Sequence, residues 1–294
     1  MIKYSLLHPA DFKLDGGAMF GIIPKPLWDK KISADELNRI EMTMRVLMIE
    51  SPHRKILIDT GIGDYHDEKF RQNFSVKTEP SPLIKALAKA QINPAQITDI
   101  IITHLHFDHV GGLGSLKNGK TQCLFPNATV HLHQKHYEYA KKPNIRDQGS
   151  FQSHIFTPLL QEYLEKKQLH LHQDEKGIIL EDGDYKLSYT TTKGHTPYQM
   201  HPFDNHFFYF GDIIPTSHHI PIPWVMGYDM NPGKTTEEKL QLLDMILKNG
   251  LTVIFNHDLD YWGAKVGIDE RKRFCFEQLM KSKKTNIEKI ELTN

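Results

Sequence analysis

Apolar positions come mostly in short runs with a period near two, broken by a few stretches with a helical period. Residues 42–50 (MTMRVLMIE) and 55–60 (KILIDT) predict two strands joined by a hairpin turn at 51–54 (SPHR), with a sharp exit at Asp59-Thr60-Gly61. Residues 82–92 (PLIKALAKAQI) have helical spacing with proline at the start, and 97–103 predict a buried strand. A strand over 128–133 (ATVHLH) precedes helices over 134–141 and 158–168, the second with an apolar stripe at Leu159, Leu160, Tyr163 and Leu164. Strands follow at 169–172, 177–181 and 185–192, then a break at 194–197 (GHTP) and a strand over 206–210 (HFFYF). Thr235 and Glu238 have the spacing of a capping box for a helix reaching Asn249. A strand over 251–256 (LTVIFN) and an amphipathic helix over 269–281 complete the pattern, and the lysine-rich end predicts a solvated, frayed tail. No repeat, low-complexity tract or linker interrupts it, so residues 1–294 read as one domain of α/β type.

Polar residues with useful chemistry repeatedly fall just after strands. Asp59, the segment 103–112 (THLHFDHVGG), His195, Asp212 and His257 all do so. Strand ends converge in a layered α/β protein, and the loops that follow them form a site there.

Composition narrows the function classes. Lys+Arg and Asp+Glu are balanced at 36 each, so no global field draws the chain to nucleic acid or an anionic membrane. The two cysteines, Cys123 and Cys275, are far apart and outside any metal-ligand spacing, which predicts free thiols. The first residues (MIKYSLLHPADFKLDGG) lack the apolar segment of a secretory signal, and no stretch has the length of a transmembrane helix. A cytoplasmic location is the expectation. Eighteen histidines are the unusual feature.

His104, His106, Asp108 and His109 crowd donors into six positions behind the apolar run Ile100–Ile102. Two residues apart on extended chain, His104 and His106 point to one side. Imidazole nitrogen and carboxylate oxygen suit Zn²⁺, Mn²⁺ or Fe²⁺. Four donors exceed what one catalytic zinc uses while keeping an open position, so two ions sharing the motif are expected. Gly111 and Gly112 would let the backbone pass close to the metals.

HLHFDH resembles the HxHxDH signature of the metallo-β-lactamase superfamily, and the ordered set Asp59-Thr60-Gly61, Gly194-His195-Thr196, Gly211-Asp212 and Asn256-His257 extends the resemblance over nearly the whole chain. The resemblance implies a four-layer αββα sandwich. It implies one metal on His104, His106 and His195, a second on Asp108, His109 and His257, and Asp212 bridging them, with Asp59 supporting the metal loop. Two Zn²⁺ are the expected cofactors, with Mn²⁺, Fe²⁺ or Co²⁺ as alternatives. A water between the ions would become a hydroxide nucleophile, and Asp108 and Asp212 would be the catalytic carboxylates, Asp108 returning a proton to the leaving group.

Within the superfamily, LDGGAMFGIIPKPLW, ILIDTGIGD and GDIIPTSHHIPIPWVMGYDMNP resemble the branch holding N-acyl-homoserine lactone lactonases and methyl-parathion hydrolase-like enzymes. That resemblance implies a small-molecule lactone or carboxylic ester as substrate, no nucleic-acid or membrane partner, and leaves a homodimer open. Phe20, Trp28, Tyr198, His219, Trp224 and Tyr228 are the candidate substrate-binding residues, with Met19, Met226 and His218 beside them. Two departures stand out: Pro215 occupies the position where many of the lactonases have a tyrosine, and Tyr198 the position of a usual glycine. A phosphotriester or phosphodiester hydrolase on the same ions is one alternative, and a metal-binding protein without turnover is another. An iron-dependent dioxygenase is a third. His131, His133, His170 and His172 lie in alternating strands and are expected to be exposed or hydrogen-bonded strand residues; His53, His66 and His154 are ordinary loop residues.

Overall fold

The computed structural model describes residues 2–76, 81–117, 119–283 and 285–292. The strands, in chain order, are β1 (Lys3–Asp15), β2 (Arg39–Glu50), β3 (Lys55–Ile58), β4 (Asp99–Ile101), β5 (Gly114–Lys117), β6 (Lys120–Cys123), β7 (Thr129–His133) and β8 (Leu169–His172). They continue with β9 (Lys176–Asp182), β10 (Tyr185–Thr192), β11 (Gln199–Phe203), β12 (Phe207–Tyr209), β13 (Thr252–Ile254), β14 (Tyr261–Ile268), β15 (Phe274–Lys281) and β16 (Ile287–Ile290). Two seven-stranded sheets result, ordered β16-β1-β2-β3-β4-β7-β8 and β15-β14-β13-β12-β11-β10-β9, with β5 and β6 forming a separate pair.

Side-chain alternation along these strands builds the layers. Leu47, Ile49, Ile56, Ile58 and Ile101 from the first sheet meet Leu187, Tyr189, Phe207, Tyr209 and Ile254 from the second. Their neighbours Val46, Met48, Leu57 and Ile100 face outward against helices Pro82–Lys89, Gln134–Lys141 and Ser153–Glu165. On the far side, Phe208 and Val253 pack under helix Pro232–Asn249 through Leu242, Leu243 and Ile246. This is the αββα sandwich of the metallo-β-lactamase fold.

Two parallel pairs position the site. β3 and β4 run side by side, Ile58 opposite Ile101, so Asp59 and the segment from Ile102 leave at one edge. β12 and β13 pair in the same sense, Tyr209 opposite Ile254, and deliver Asp212 and His257. The sheets are joined there by backbone bonds from Thr43 to His257 and from Met200 to Thr103, at 3.2 and 2.9 Å.

Several expected elements differ. The chain opens with the long strand β1, which pairs with β2 and carries a bulge between Leu7 and Ala10, where Pro9 has no N–H for the ladder. The amphipathic helix expected over 269–281 is instead a turn and β15. Asp269 caps that turn through backbone bonds with Arg273 and Lys272, Lys272 has φ 58°, and Phe274 and Phe276 then pack with the period of a strand. The expected frayed tail contains β16, whose Ile287 and Ile290 pair with Leu7 and Tyr4; positions 284, 293 and 294 lie outside the described residues. The helix expected from Pro158 begins at Ser153 and runs through the proline. Helix Pro232–Asn249 is capped by Asn231 with Pro232 in its first turn, rather than by Thr235.

Candidate metal centre

Each donor is aimed by an identifiable local cause. Asp59, at φ 62°, accepts from the Thr103 N–H at 2.8 Å and the Thr103 hydroxyl at 2.9 Å, and from His109 Nδ1 at 2.8 Å. Thr60 in turn donates its N–H to the His109 carbonyl at 2.7 Å. The Asp-Thr-Gly turn therefore splints the metal loop along its length. Gly111 and Gly112 serve this packing rather than a close approach to metal: a Cβ at Gly112 would lie 2.1 Å from the Thr60 carbonyl oxygen. Phe107–Val110 closes into one helical turn, which places Asp108 and His109 together.

Seven side chains converge, all buried. His104 Nε2 and His106 Nδ1 are 3.0 Å apart, and His195 Nε2 is 3.3 Å from His106 Nδ1. His109 Nε2 and His257 Nε2 are 3.3 Å apart, with Asp108 Oδ2 at 3.8 and 3.5 Å from them. Asp212 lies between the groups. Its Oδ2 is 3.5 Å from His195 Nε2 and 3.9 Å from His104 Nε2, whereas its Oδ1 is 3.3 Å from His109 Nε2 and 3.2 Å from His257 Nε2.

In four of the five histidines the outer ring nitrogen donates, so the inner one carries a lone pair. His109 Nδ1 donates to Asp59, His195 Nδ1 to Asp229 at 2.9 Å, and His257 Nδ1 to the Thr43 carbonyl at 2.9 Å. The Thr103 hydroxyl, itself donating to Asp59, accepts from His104 Nδ1 at 3.0 Å. Converging lone pairs repel unless a cation sits among them, and histidines oriented by carboxylates and carbonyls are the usual supports of a metal site. The donor set fits two divalent ions of the Zn²⁺, Mn²⁺, Fe²⁺ or Co²⁺ kind: nitrogen and oxygen, no thiolate.

Electrostatics agree. Burial and the neighbouring imidazoles hold His104 and His106 well below the usual histidine range. Burial would lower His109 too, but Asp212, Asp108 and Asp59 hold it well above. Burial would raise Asp212, yet His109 and His257 hold it well below the ordinary carboxylate value. The site thus already favours positive charge beside its carboxylates.

A cavity of about 340 Å³ opens onto the centre. His106, Asp108, His195, Asp212 and His257 form its floor; Leu14, Met19, Phe74, Phe107, Met226 and Tyr228 supply apolar wall. A larger cavity, about 480 Å³, lies between β1 and helix Pro82–Lys89 and is lined by none of the seven donors.

Of the candidate substrate residues, Tyr228 lines the metal cavity. Phe20, Trp28, His219 and Trp224 instead form a stack behind the wall: Phe20 is parallel to His219 at 4.8 Å and to Trp28 at 5.3 Å, with Trp224 edge-on. Tyr198 lies apart from the cavity-lining residues, its ring on His133 at 4.8 Å with Lys135 and Lys193 over it. His131 and His172 are buried and bonded, His131 to Asp99 at 3.0 Å and to His172 at 3.2 Å.

Sequence reasoning missed three supports. Asp229 orients His195. His136 accepts the Leu105 N–H at 2.8 Å and donates to the Pro197 carbonyl at 2.7 Å, clamping both metal-bearing loops. Glu238, whose spacing predicted a capping box, accepts the N–H groups of Lys193 and Gly194, each at 2.9 Å, and so fixes the turn that carries His195. Only Glu238 carried a signal, and it pointed to another role.

Comparison with known proteins follows the same lines. The profile of the metallo-β-lactamase superfamily matches residues 45–257. The chain belongs to this superfamily. It is similar to an N-acyl homoserine lactonase of Bacillus cereus, 28% identical over 37% of this chain and 47% of the relative. It is also similar to the N-acyl homoserine lactonase AttM of Agrobacterium fabrum, 27% identical over 61% of this chain and 64% of the relative. The matches thus span under two thirds of either lactonase. Among solved structures, a probable metal-dependent hydrolase from Staphylococcus aureus superposes with TM-score 0.83 at 27% identity, covering 97% of this chain and 98% of that one. The dizinc quorum-quenching lactonase AidC superposes with TM-score 0.72 at 18% identity, over 94% and 93% of the two chains, a likeness of fold. Among the described residues no helix is long and apolar enough to cross a membrane.

Proposed function

We propose that this chain is a dinuclear metal hydrolase that opens a lactone, or cleaves a carboxylic ester, of small-molecule size. One observation carries the reading: Asp212 presents its two oxygens to two separate histidine groups at the floor of a largely apolar cavity. The relatives named as N-acyl homoserine lactonases support the choice of substrate class.

His104, His106 and His195 would hold one ion, Asp108, His109 and His257 the other, with Asp212 shared. Bound there, such ions polarise a carbonyl and make water nucleophilic near neutral pH. The chain's own residues do the rest. Asp108 lines the cavity, where its carboxylate can pass a proton to the leaving oxygen. Met19, Phe107 and Met226 exclude solvent and offer a surface to an acyl chain. Asp59, Asp229 and the Thr43 carbonyl keep the imidazoles in one tautomer throughout.

The test is metal quantification joined to a panel of acyl lactones, aryl esters and aryl phosphates on one zinc-loaded preparation. Two ions per chain with lactone or ester turnover is expected. Turnover of phosphates alone would move the assignment to a phosphotriester or phosphodiester hydrolase, and no turnover with full metal would favour a binding protein.

A further inference from the structure

The loop between helices Gln134–Lys141 and Ser153–Glu165 contributes a cation to the metal cavity that the proposed reaction does not use. Arg146 lines the cavity with His106, Asp108 and Asp212, and it is exposed, so it stands where the cavity meets solvent. Its Nη2 donates to the carbonyl of Gly227, another wall residue, and among the described residues its other guanidinium N–H groups meet no acceptor. Arg39, Arg54, Arg71 and Arg273 differ: each meets a carboxylate, on Asp35, Asp99, Glu68 and Asp269, at 2.9, 2.9, 2.9 and 2.7 Å. The adjacent Asp147 turns its Oδ2 to the Tyr139 hydroxyl at 2.7 Å instead. Arg146 is held from both ends. Its backbone N–H donates to Asn144 Oδ1 at 2.9 Å, and the Gly227 N–H donates to the Ala18 carbonyl at 2.7 Å. A guanidinium fixed in a cavity wall with no carboxylate of its own is a receptor for an anion.

We infer that Arg146 is a specificity-determining residue that binds a carboxylate carried by the substrate away from its scissile bond, so that the site takes acidic esters or lactones. This rests on the lactone and ester reading given above. The cavity has a place for each part of such a molecule. The buried donors form the floor where the ester reacts, Met19, Phe107 and Met226 line an apolar stretch, and Arg146 stands at the solvent side. A planar, singly charged carboxylate matches one edge of a guanidinium in shape and charge. A phosphate monoester would bring about two charges to this one cation. The floor does not oppose an anion, because two divalent ions would outweigh the carboxylates of Asp108 and Asp212.

A competing role is structural, with Arg146 doing no more than tying its loop to Gly227. The experiment separates the two. On zinc-loaded protein, kcat/KM is measured for 4-nitrophenyl monoesters of linear dicarboxylic acids of increasing length, each against the 4-nitrophenyl ester of the monoacid of equal length. A γ-carboxyalkyl lactone and a γ-alkyl lactone of equal reach form a second pair, and the acidic-to-neutral ratio is read on whichever class is turned over. Wild type should favour the acidic substrate by about tenfold at the best length. Arg146→Gln keeps a donor for the Gly227 carbonyl but no charge, and should bring the ratio to about one. Arg146→Lys keeps the charge without the planar fork, and should retain about a third of the ratio. A tie between loops would alter acidic and neutral substrates alike and leave the ratio at its wild-type value. A wild-type ratio of about one or less at every length, or a ratio unchanged in Arg146→Gln, overturns the inference while the hydrolase reading stands. Turnover of none of these esters and lactones by wild type overturns the underlying substrate reading and this inference with it.

Discussion

Asp229 Oδ1 accepts a hydrogen bond from His195 Nδ1 at 2.9 Å, and both side chains are 1% exposed. Burial would lower the His195 pKa, but Asp229 and Asp212 raise it. In a metal centre the same contact fixes the tautomer and strengthens the imidazole as a ligand. Asp229→Ala should weaken the ion held with His104 and His106 by about 10–100-fold and leave the second ion largely in place. A chelator titration that resolves the two release steps checks this; simultaneous release of both ions would contradict the assignment of His195 to one group.

Asp212 and His131 make a matched pair of opposite expectations. Asp212→Ala removes the carboxylate between the two groups and leaves two cations facing each other, so metal and turnover should fall together. His131→Ala leaves Asp99 without one of its partners, though Arg54 and Thr98 still serve it. That change should lower stability by about 1–3 kcal/mol without altering metal content. Metal analysis and thermal unfolding of both variants provide the comparison, and metal loss in the second would redraw the ligand set.

The metal loop was legible because its chemistry is local: HLHFDH carries four donors in six residues behind a buried strand. His195, Asp212 and His257 were legible because each follows a strand and matches an ordered pattern. Asp229, His136 and Glu238 were not, because their meaning lies in contacts with residues 34, 31 and 44 positions away. Phe20 and Trp28, expected to bind substrate, instead stack on each other and do not line the cavity, a distinction between wall and backing that their aromatic loop does not carry in sequence. The β15 and β16 errors have one physical source. Edge strands are half exposed, so their side-chain pattern is weak, and pairing with β14 and β1 outweighs the local helical and frayed signals.

Acid should destabilise the fold through histidines kept neutral by burial. His172, against His131, and His219, which donates to the Met19 carbonyl, are both pushed down to about 3. The unfolded chain takes up these protons as pH falls below about 6.5, whereas the folded chain does not until about pH 3. Stability contributed by each neutral ring is therefore intact above pH 6.5 and declines toward pH 3, by about 1.4 kcal/mol per pH unit per histidine. Unfolding of wild type and His172→Gln between pH 7 and pH 5 measures the difference. A variant slope shallower by close to one proton is expected, and identical slopes would mean that His172 titrates normally in the fold.

Lys239 is wholly buried, and its Nζ donates to the carbonyls of His219 at 2.6 Å, Pro221 at 2.9 Å and Trp224 at 2.9 Å. These bonds gather one loop onto helix Pro232–Asn249, and burial pushes the Lys239 amine down to about 7. The same loop continues into Met226, Gly227 and Tyr228, which line the metal cavity. Lys239→Met keeps most of the stem's volume but strands those carbonyls, which should cost about 2–5 kcal/mol. The seven donors are held by other contacts, so metal content should persist while the wall loosens. The expected signature is a lower Tm and a KM that rises more than kcat falls on whichever substrate the panel identifies. Loss of metal at unchanged KM would show instead that the loop acts through Asp229 and His195 rather than through the cavity wall.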